Sequence, residues 1–287
     1  MPSWTPLGAV APTRLTQTAG ELHRATRWLE RFALALLPPQ EDFTHAALTW
    51  RRDLQSFVTG SALAKTRGVR LALGLRPTDG RLFFLANDMP GPDLPLHGCT
   101  ERDVGQWISH CLRAYDLDGD GIAQPKPEAN GKALAPPSPE PYDMNSCAAE
   151  LNELSRYADN AELMLNNAAD HASHLEPGPS PVRIWPHHFD TAIYIQLTTS
   201  TAEDAPGIGA GLAVPDALYG EFYFYTYPWP RREIAGLPPL TCSGHYQRDG
   251  FFGASLPMSL VIEQDDQKAC VMTFFEQTIE VFLGALR

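Results

Sequence analysis

The chain has 287 residues, of which 44% are hydrophobic and 20% charged, values typical of a globular protein with a hydrophobic core. Acidic residues outnumber basic residues 34 to 22, which gives a formal charge of −12. This balance disfavours a nucleic-acid or anionic-membrane partner, because phosphate binding requires clustered Lys and Arg.

The cysteines and the N-terminus bear on the cellular compartment. The five cysteines are scattered without a CxxC pair, so neither a zinc knuckle nor a dithiol motif is predicted. The first residues lack the basic and apolar regions of a signal peptide, and we expect no membrane-spanning run of about 18 apolar residues. We therefore expect a cytoplasmic protein.

The first half of the chain predicts a helix, antiparallel strands and a second helix. Residues 11–37 have apolar side chains at helical spacing. Two strand-forming segments follow, 48–58 and 67–86, and a Pro-Thr-Asp-Gly turn divides the second. Residues 99–115 again show the period of an amphipathic helix.

The same order recurs in the second half, at residues 140–166, 183–195, 206–226 and 266–286. Trp50 aligns with Trp185, and Gly80 aligns with Gly220. We therefore predict an α+β protein made of two degenerate tandem copies of a helix–antiparallel sheet–helix unit, packed about a pseudo-twofold axis. The predicted divisions are a scaffold-like first repeat (1–123), a Pro-rich linker (124–141) and a second repeat (142–287).

One acidic segment lies at the end of the first repeat. Residues 116–123, DLDGDGIA, resemble the start of an EF-hand calcium loop, but the twelfth position is Pro127 and not the bidentate Glu. This difference favours an Asp/Gly-rich end of a helix over a calcium site.

The second repeat carries a polar cluster at the start of a predicted strand, in the segment WPHHFD (residues 185–190). Strand alternation places His188 and Asp190 on one face. His187 reaches the same place only if Pro186 makes the entry to the strand irregular.

The next strand places Glu221, Tyr223, Tyr225 and Tyr227 on one face. A carboxylate followed by a row of tyrosines predicts the floor of a polar pocket with aromatic walls. His245 lies in a Gly-flanked loop, a common position for residues that contact ligands.

These residues are compatible with two kinds of chemistry. His187, His188 and His245 suit a divalent transition metal (Zn, Fe or Mn), with Asp190 and Glu221 as catalytic carboxylates that act as base or ligand. The carboxylates and histidines would equally serve general acid/base chemistry without a metal. A purely structural interpretation is a hydrogen-bonded polar sheet face with aromatic side chains that fill a core.

The first repeat lacks this cluster. Arg51, Arg52 and Asp53 follow its tryptophan, Arg81 aligns with Glu221, and LFFL (residues 82–85) replaces the tyrosine row. A requirement of the scaffold would act on both copies, so the difference favours a site in the second repeat.

From Trp185 onward the chain resembles an uncharacterised bacterial family of unknown function. The pattern comprises a WPHHFD segment, a GxGxGL strand, an (E)xYFYxxPWP strand and a GHxxxxGFxGA loop, here at residues 185–190, 207–212, 221–230 and 244–254. The resemblance covers the second half, and it reaches the first half only through the repeat. The family has no assigned activity, so the resemblance implies a site without identifying its chemistry.

Three hypotheses follow. The first is a metal-dependent enzyme that acts on a small molecule in the second repeat. The second is a non-catalytic binding module in which Trp185, Tyr223, Tyr225 and Trp229 stack on an apolar or cationic ligand. The third is a structural or interaction protein whose histidines have no part in function.

Overall fold

The structure is a computed structural model that describes residues 3–123, 138–200, 202, 204–231, 234, 236–248 and 251–287. Most of the predicted linker, residues 124–137, lies outside the described residues, and so does Pro127 of the acidic segment.

Helices and antiparallel strands alternate along the described chain. The helices are α1 (Thr16–Leu36), α2 (Glu101–Arg113), α3 (Asp120–Ala123), α4 (Ala148–His171), α5 (Met258–Ile262) and α6 (Gln267–Leu286). The strands are β1 (Thr49–Arg51), β2 (Ser56–Val58), β3 (Ala62–Ala64), β4 (Val69–Arg76), β5 (Arg81–Ala86), β6 (Met89–Pro95), β7 (Gly178–Pro179), β8 (Arg183–Trp185), β9 (Asp190–Gln196), β10 (Gly207–Ala213), β11 (Tyr223–Trp229), β12 (His245–Gln247) and β13 (Gly253–Pro257). The predicted α+β class is confirmed.

The strands form two antiparallel sheets. The first has the order β1-β2-β4-β5-β6, with β3 beside β4, and the second has the order β12-β13-β11-β10-β9-β7, with β8 paired to β9. The predicted hairpins, β4–β5 and β10–β11, are confirmed, since the strands of each pair are antiparallel neighbours. Each turn contains Pro and Asp residues, which disfavour continuation of the strand.

The chain divides into two compact units that are discontinuous in sequence. The first unit comprises Gln17–Ser155 and Ile184–Phe189; the second comprises Met1–Thr16, Arg156–Arg183 and Asp190–Arg287. The division between the units therefore falls inside α4, and the residues 184–189 of the predicted second repeat belong to the first unit.

In the first unit, α1 and α2 cover one face of the sheet. The Phe84 ring of β5 packs edge-on against Phe32 of α1, with ring centroids 6.2 Å apart. It also contacts Trp107 of α2 in a tilted arrangement, with ring centroids 5.4 Å apart. The opposite face carries a smaller buried cluster that includes Val58, Ala72, Phe83 and Leu85.

In the second unit, α6 covers the apolar face of the sheet. Thr191, Ile193 and Ile195 alternate as buried residues along β9, and Phe224 of β11 packs against Phe275 of α6 with ring centroids 5.5 Å apart. This apolar face includes every second residue of each strand, so the remaining residues form a second face with different chemistry.

Helix α6 departs from one sequence expectation. By length and composition it is apolar enough to cross a membrane, with a mean hydropathy of 1.4 over its best window. Its Phe274, Phe275 and Phe282 side chains are buried in the second unit. Buried helices of globular cores meet the same criterion, so this finding does not test the expected localisation, which stays a prediction.

The β1–β2 and β8–β9 connections have the same local geometry. Each has a four-residue turn, 52–55 or 186–189, whose last residue is left-handed: Gln55 at φ 49° and Phe189 at φ 61°. The backbone N–H of the third turn residue donates to the last strand residue in both, from Leu54 to Arg51 and from His188 to Trp185. The turns align Arg51 with Trp185, so the predicted match of Trp50 with Trp185 is wrong by one residue.

The acidic segment follows the end of α2, as the Asp/Gly composition predicts. The carboxylate of Asp116 accepts hydrogen bonds from Thr66 Oγ1 at 3.0 Å and from Arg67 Nε at 3.2 Å. These bonds give Asp116 a structural role in the first unit.

Candidate ligand-binding site

The central strand of the second sheet is shaped by three glycines on one face, Gly207, Gly209 and Gly211. A Cβ atom at these positions would lie 2.3 Å from Tyr194 Oη, 2.3 Å from Tyr227 Cζ and 2.6 Å from Tyr225 Oη, respectively. Real side chains do not approach so closely, so only glycine allows the tyrosine rings to lie against the β10 backbone. We call the face that carries these rings the tyrosine face.

Strand register places further polar residues on this face. Tyr225 lies opposite Gly211 on one side and opposite Ser255 on the other, and His245 lies opposite Ser255. Directly opposed residues of an antiparallel sheet share a face. His245 therefore belongs to the same row as Tyr225, and it lies in strand β12 and not in a loop as the sequence predicts.

The tyrosine rings are close neighbours and are partly accessible to solvent. The centroids of Tyr225 and Tyr227 are 6.0 Å apart with an interplanar angle of 19°, and those of Tyr223 and Tyr225 are 6.4 Å apart. Tyr225 and Tyr227 are half-buried, Tyr223 is buried, and Trp229 at the end of the strand is 38% exposed.

Asp190 places a carboxylate among these rings. It is the first residue of β9, and its Oδ2 accepts a hydrogen bond of 2.8 Å from Tyr225 Oη. Burial and the Asp190 charge raise the pKa of Tyr225 well above its ordinary value, and they raise the pKa of Tyr227 in the same way. Both phenols therefore stay protonated at neutral pH.

A second carboxylate lies at the turn between β10 and β11. Asp216 Oδ2 accepts a hydrogen bond of 2.8 Å from Tyr223 Oη. Burial, and then this bond, raises the pKa of Tyr223. Tyr219 of the same turn shares a 2.5 Å hydrogen bond with His245 Nε2, and its ring centroid is 4.6 Å from that of Tyr223.

Glu221 has a different position from the predicted one. Strand β11 begins at Tyr223, so Glu221 is not the first residue of the tyrosine row. Its carboxylate accepts hydrogen bonds from Ser259 N at 2.7 Å and from Ser259 Oγ at 2.8 Å. Ser259 is in the first turn of α5, where a carboxylate satisfies backbone N–H groups, so the contacts of Glu221 are those of a helix cap.

The strand argument for His188 is also wrong. Because residues 186–189 form a turn and β9 begins at Asp190, alternation does not place His188 on the face of Asp190. The segment with Trp185, His187 and His188 belongs to the first unit, whereas Asp190 belongs to the second. In the first unit, the His187 ring lies 4.4 Å from that of His188 and 6.0 Å from that of Trp185.

Contacts of α1 hold this turn within the first unit. His23 Nε2 donates to the carbonyl oxygen of Pro186 at 2.6 Å, and its ring stacks on Phe189 with centroids 5.3 Å apart. Phe189 also meets the Phe57 ring edge-on at 5.5 Å.

The residues that the structure describes include no group of three or more His, Cys, Asp or Glu side chains that could hold a metal ion. The predicted transition metal, and His187, His188 and His245 as its ligands, stay predictions.

One groove of about 370 Å³ is present elsewhere in the second unit, between α6 and the segment 238–240. Its lining residues include Tyr246, Glu276, Glu280 and Val281. Because Tyr246 alternates with His245 along β12, this groove is not part of the tyrosine face.

Sequence reasoning missed three residues at the tyrosine face: Asp216, Tyr219 and Ser255. Strand alternation does predict Tyr194 on the face of Asp190. A signal for the face is present in the sequence, because GIGAG (residues 207–211) and YFYTY (residues 223–227) both have a period of two. Alternating glycines beside alternating tyrosines predict rings that lie over a glycine strand.

No protein-family model, curated protein or solved structure matches this chain with significance. The resemblance to an uncharacterised bacterial family therefore stays a prediction.

Proposed function

We propose that the second unit is a non-catalytic binding module that holds a small organic molecule on the tyrosine face. The observation that carries this proposal is the hydrogen bond of Asp190 to Tyr225 within a row of half-buried rings. Ligand sites combine large aromatic surfaces with a few polar groups that fix orientation, and the tyrosine face has both.

Binding is favoured over catalysis by the state of the side chains. Tyr223, Tyr225 and Tyr227 have raised pKa values, so their phenolates are not formed near neutral pH. General bases need a pKa near the working pH. Glu221, one of the two predicted catalytic carboxylates, has hydrogen bonds from Ser259 on both oxygens.

We also infer that the two repeats arose by tandem duplication. The β4–β5 and β10–β11 hairpins, the matching left-handed turns and a shared glycine–aromatic contact support this history. In the first unit, Gly74 faces Phe83, and a Cβ on Gly74 would lie 2.4 Å from the ring. The pseudo-twofold packing of the copies stays a prediction.

A fragment screen with matched variants tests the binding proposal. Ligand-observed NMR with small aromatic, aliphatic and charged fragments should reveal binders to the wild-type protein that Tyr227→Leu weakens about fivefold, because one ring contact is worth about 1 kcal/mol. Tyr115→Leu, a half-buried tyrosine of the first unit, is the control and should leave binding unchanged. Fragments that bind equally well to the wild type and to Tyr227→Leu would contradict the proposal.

The metal-dependent enzyme is the second candidate, motivated by the histidines and carboxylates of the second repeat. Elemental analysis of protein purified without a histidine tag tests it. Near-stoichiometric Zn, Fe or Mn that is lost in the His188→Ala, His245→Ala double variant would support it. Metal content unchanged by the double variant would exclude those ligands.

A further inference from the structure

We propose that Cys242 and Cys270 of the second unit are a thiol pair that forms a disulfide when the chain meets a low-molecular-weight disulfide, such as oxidised glutathione. The proposal does not rest on the binding function of the tyrosine face. Both thiols are free and half-buried in the structure. Because the two cysteines are far apart in the sequence, their spacing does not reveal the pair.

The segment 241–244, which leads into β12, lies along α6. The Oε1 atom of Gln277 accepts a hydrogen bond of 3.0 Å from the backbone N–H of Thr241, and its Nε2 atom donates one of 2.6 Å to Thr241 Oγ1. At the other end of the segment, a Cβ on Gly244 would lie 2.7 Å from Phe274 Cδ2, so the glycine backbone packs directly on this ring. The segment is thus held against the helix at both ends.

Cys270 lies on the same face of α6, one turn before Phe274, because residues at i and i+4 are neighbours on a helix. The backbone N–H of Ser243 donates a hydrogen bond to the Cys270 thiol, and Ser243 follows Cys242 directly in the chain. Burial raises the pKa of Cys270, and the Cys242 thiol raises it further, so the two thiols interact.

This arrangement suits a disulfide. The bond requires Cα atoms within about 7 Å of each other and side chains that can turn toward each other. The Cys270 thiol contacts the residue next to Cys242, and each thiol turns about a single side-chain torsion. We therefore expect rotation of the two side chains to bring the sulfur atoms into bonding distance while the backbone stays in place.

The reaction is a thiol–disulfide exchange. The thiolate of one cysteine attacks a sulfur of oxidised glutathione, the glutathione S–S bond breaks, and one glutathione leaves as a thiolate that takes up a proton. The thiolate of the second cysteine then attacks the protein sulfur of the mixed disulfide and displaces the second glutathione. In total, two protein thiols are oxidised to one disulfide, and oxidised glutathione is reduced to two thiols.

The disulfide would tie together the two walls of the groove in the second unit. Residues 238–240 line this groove with Glu276 and Val281 of α6, and Cys242 lies two residues further along the chain. A bond from Cys242 to Cys270 closes a loop of about 30 residues, which restricts the unfolded chain and so stabilises the fold.

Peptide mapping of the full chain after incubation with oxidised glutathione tests the proposal. Trypsin cleaves after Arg248 and Lys268, so the peptides with Cys242 and Cys270 stay together only if a disulfide links them. We expect this linked pair to form about tenfold faster per unit of pH between pH 7 and 8, because burial raises the pKa of both thiols and the thiolate is the reactive form. The melting temperature of the oxidised chain should be about 5–10 °C higher than that of the reduced chain.

Matched variants identify the thiols that react. Cys242→Ala and Cys270→Ala should each abolish the linked peptide and the rise in melting temperature. Cys147→Ala removes a half-buried thiol of the first unit and is the control, which should retain both. Mapping of the wild-type chain needs no variant, so the test holds if a variant folds poorly. Unreacted thiols, glutathione adducts on both cysteines without a linked peptide, or links of either cysteine to a different thiol would overturn the proposal.

Discussion

Gly209→Ala tests whether the glycines of β10 exist to accommodate the tyrosine rings. The new Cβ would lie 2.3 Å from Cζ and 2.4 Å from Cε1 of Tyr227. Carbon atoms in contact are about 3.5–4.0 Å apart, so the ring must move by more than about 1 Å. Overpacking of this kind costs about 1–3 kcal/mol, and replacing Gly within a strand returns about 0.5–1 kcal/mol. We expect a net loss of about 1–2 kcal/mol in the free energy of unfolding.

Urea unfolding with a double-variant cycle measures this effect. In the Tyr227→Ala background the clash is gone, so Gly209→Ala should there be neutral or slightly stabilising. Gly220→Ala is the control, because a Cβ on Gly220 meets no atom within 4 Å. If Gly209→Ala destabilises the protein equally in both backgrounds, the ring is not the cause and the steric reasoning is refuted.

Three further predictions concern pH, the helix cap and the turns. Because the pKa values of Tyr223, Tyr225 and Tyr227 are raised, the folded state keeps protons that the unfolded state releases above about pH 10. The free energy of unfolding therefore falls as the pH rises above about 10, and it is unaffected below about pH 9. Urea unfolding at pH 8 and 10.5 should show a smaller loss in Tyr225→Phe; an unchanged loss would mean that this phenol is not responsible. Glu221→Ala should lower the free energy of unfolding by about 1 kcal/mol, because α5 loses its cap, and it should leave fragment binding intact. The exposed Glu263→Ala is the control. Loss of binding by a folded Glu221→Ala protein would show that Glu221 belongs to the ligand site. Gln55→Gly should stabilise the first unit by about 0.5 kcal/mol, because the backbone of Gln55 is left-handed. Phe189→Gly should instead destabilise it by about 3 kcal/mol, since the buried Phe189 ring packs on His23 and Phe57. Thermal unfolding that shifts in the same direction for both variants would contradict this prediction.

The regular elements follow from sequence periodicity alone. Helices α2 and α6 and the strands β4, β5, β10 and β11 lie where apolar spacing and turn residues predict them. These elements bury one face each, and burial of a face imposes a period that can be read from the chain.

The site was harder to predict, because its members depend on where each strand begins. Glu221 and His188 are each within two residues of a strand, and extending the strand by that distance assigned both to the tyrosine face. Where a strand begins depends, unlike periodicity, on contacts with residues that are distant in sequence. Ser259 donates a hydrogen bond to Glu221, and His23 donates one to the carbonyl oxygen of Pro186. Asp190 and Tyr225 both belong to strands, and strand alternation places both on the tyrosine face.

The discontinuous units have a consequence for dissecting the chain. Residues 142–155 and 184–189 belong to the first unit although they follow the predicted linker, and residues 3–16 belong to the second unit although they precede it. The N-terminal segment is anchored in the second unit by the side-chain amides of Asn160 and Gln267, which bond to the backbone of Thr5 and Leu7. A cut within the linker therefore leaves each half without strands or anchors that its own core uses. The two halves should recover a native fold only when they are expressed together, in the manner of partners that exchange segments in a swapped dimer.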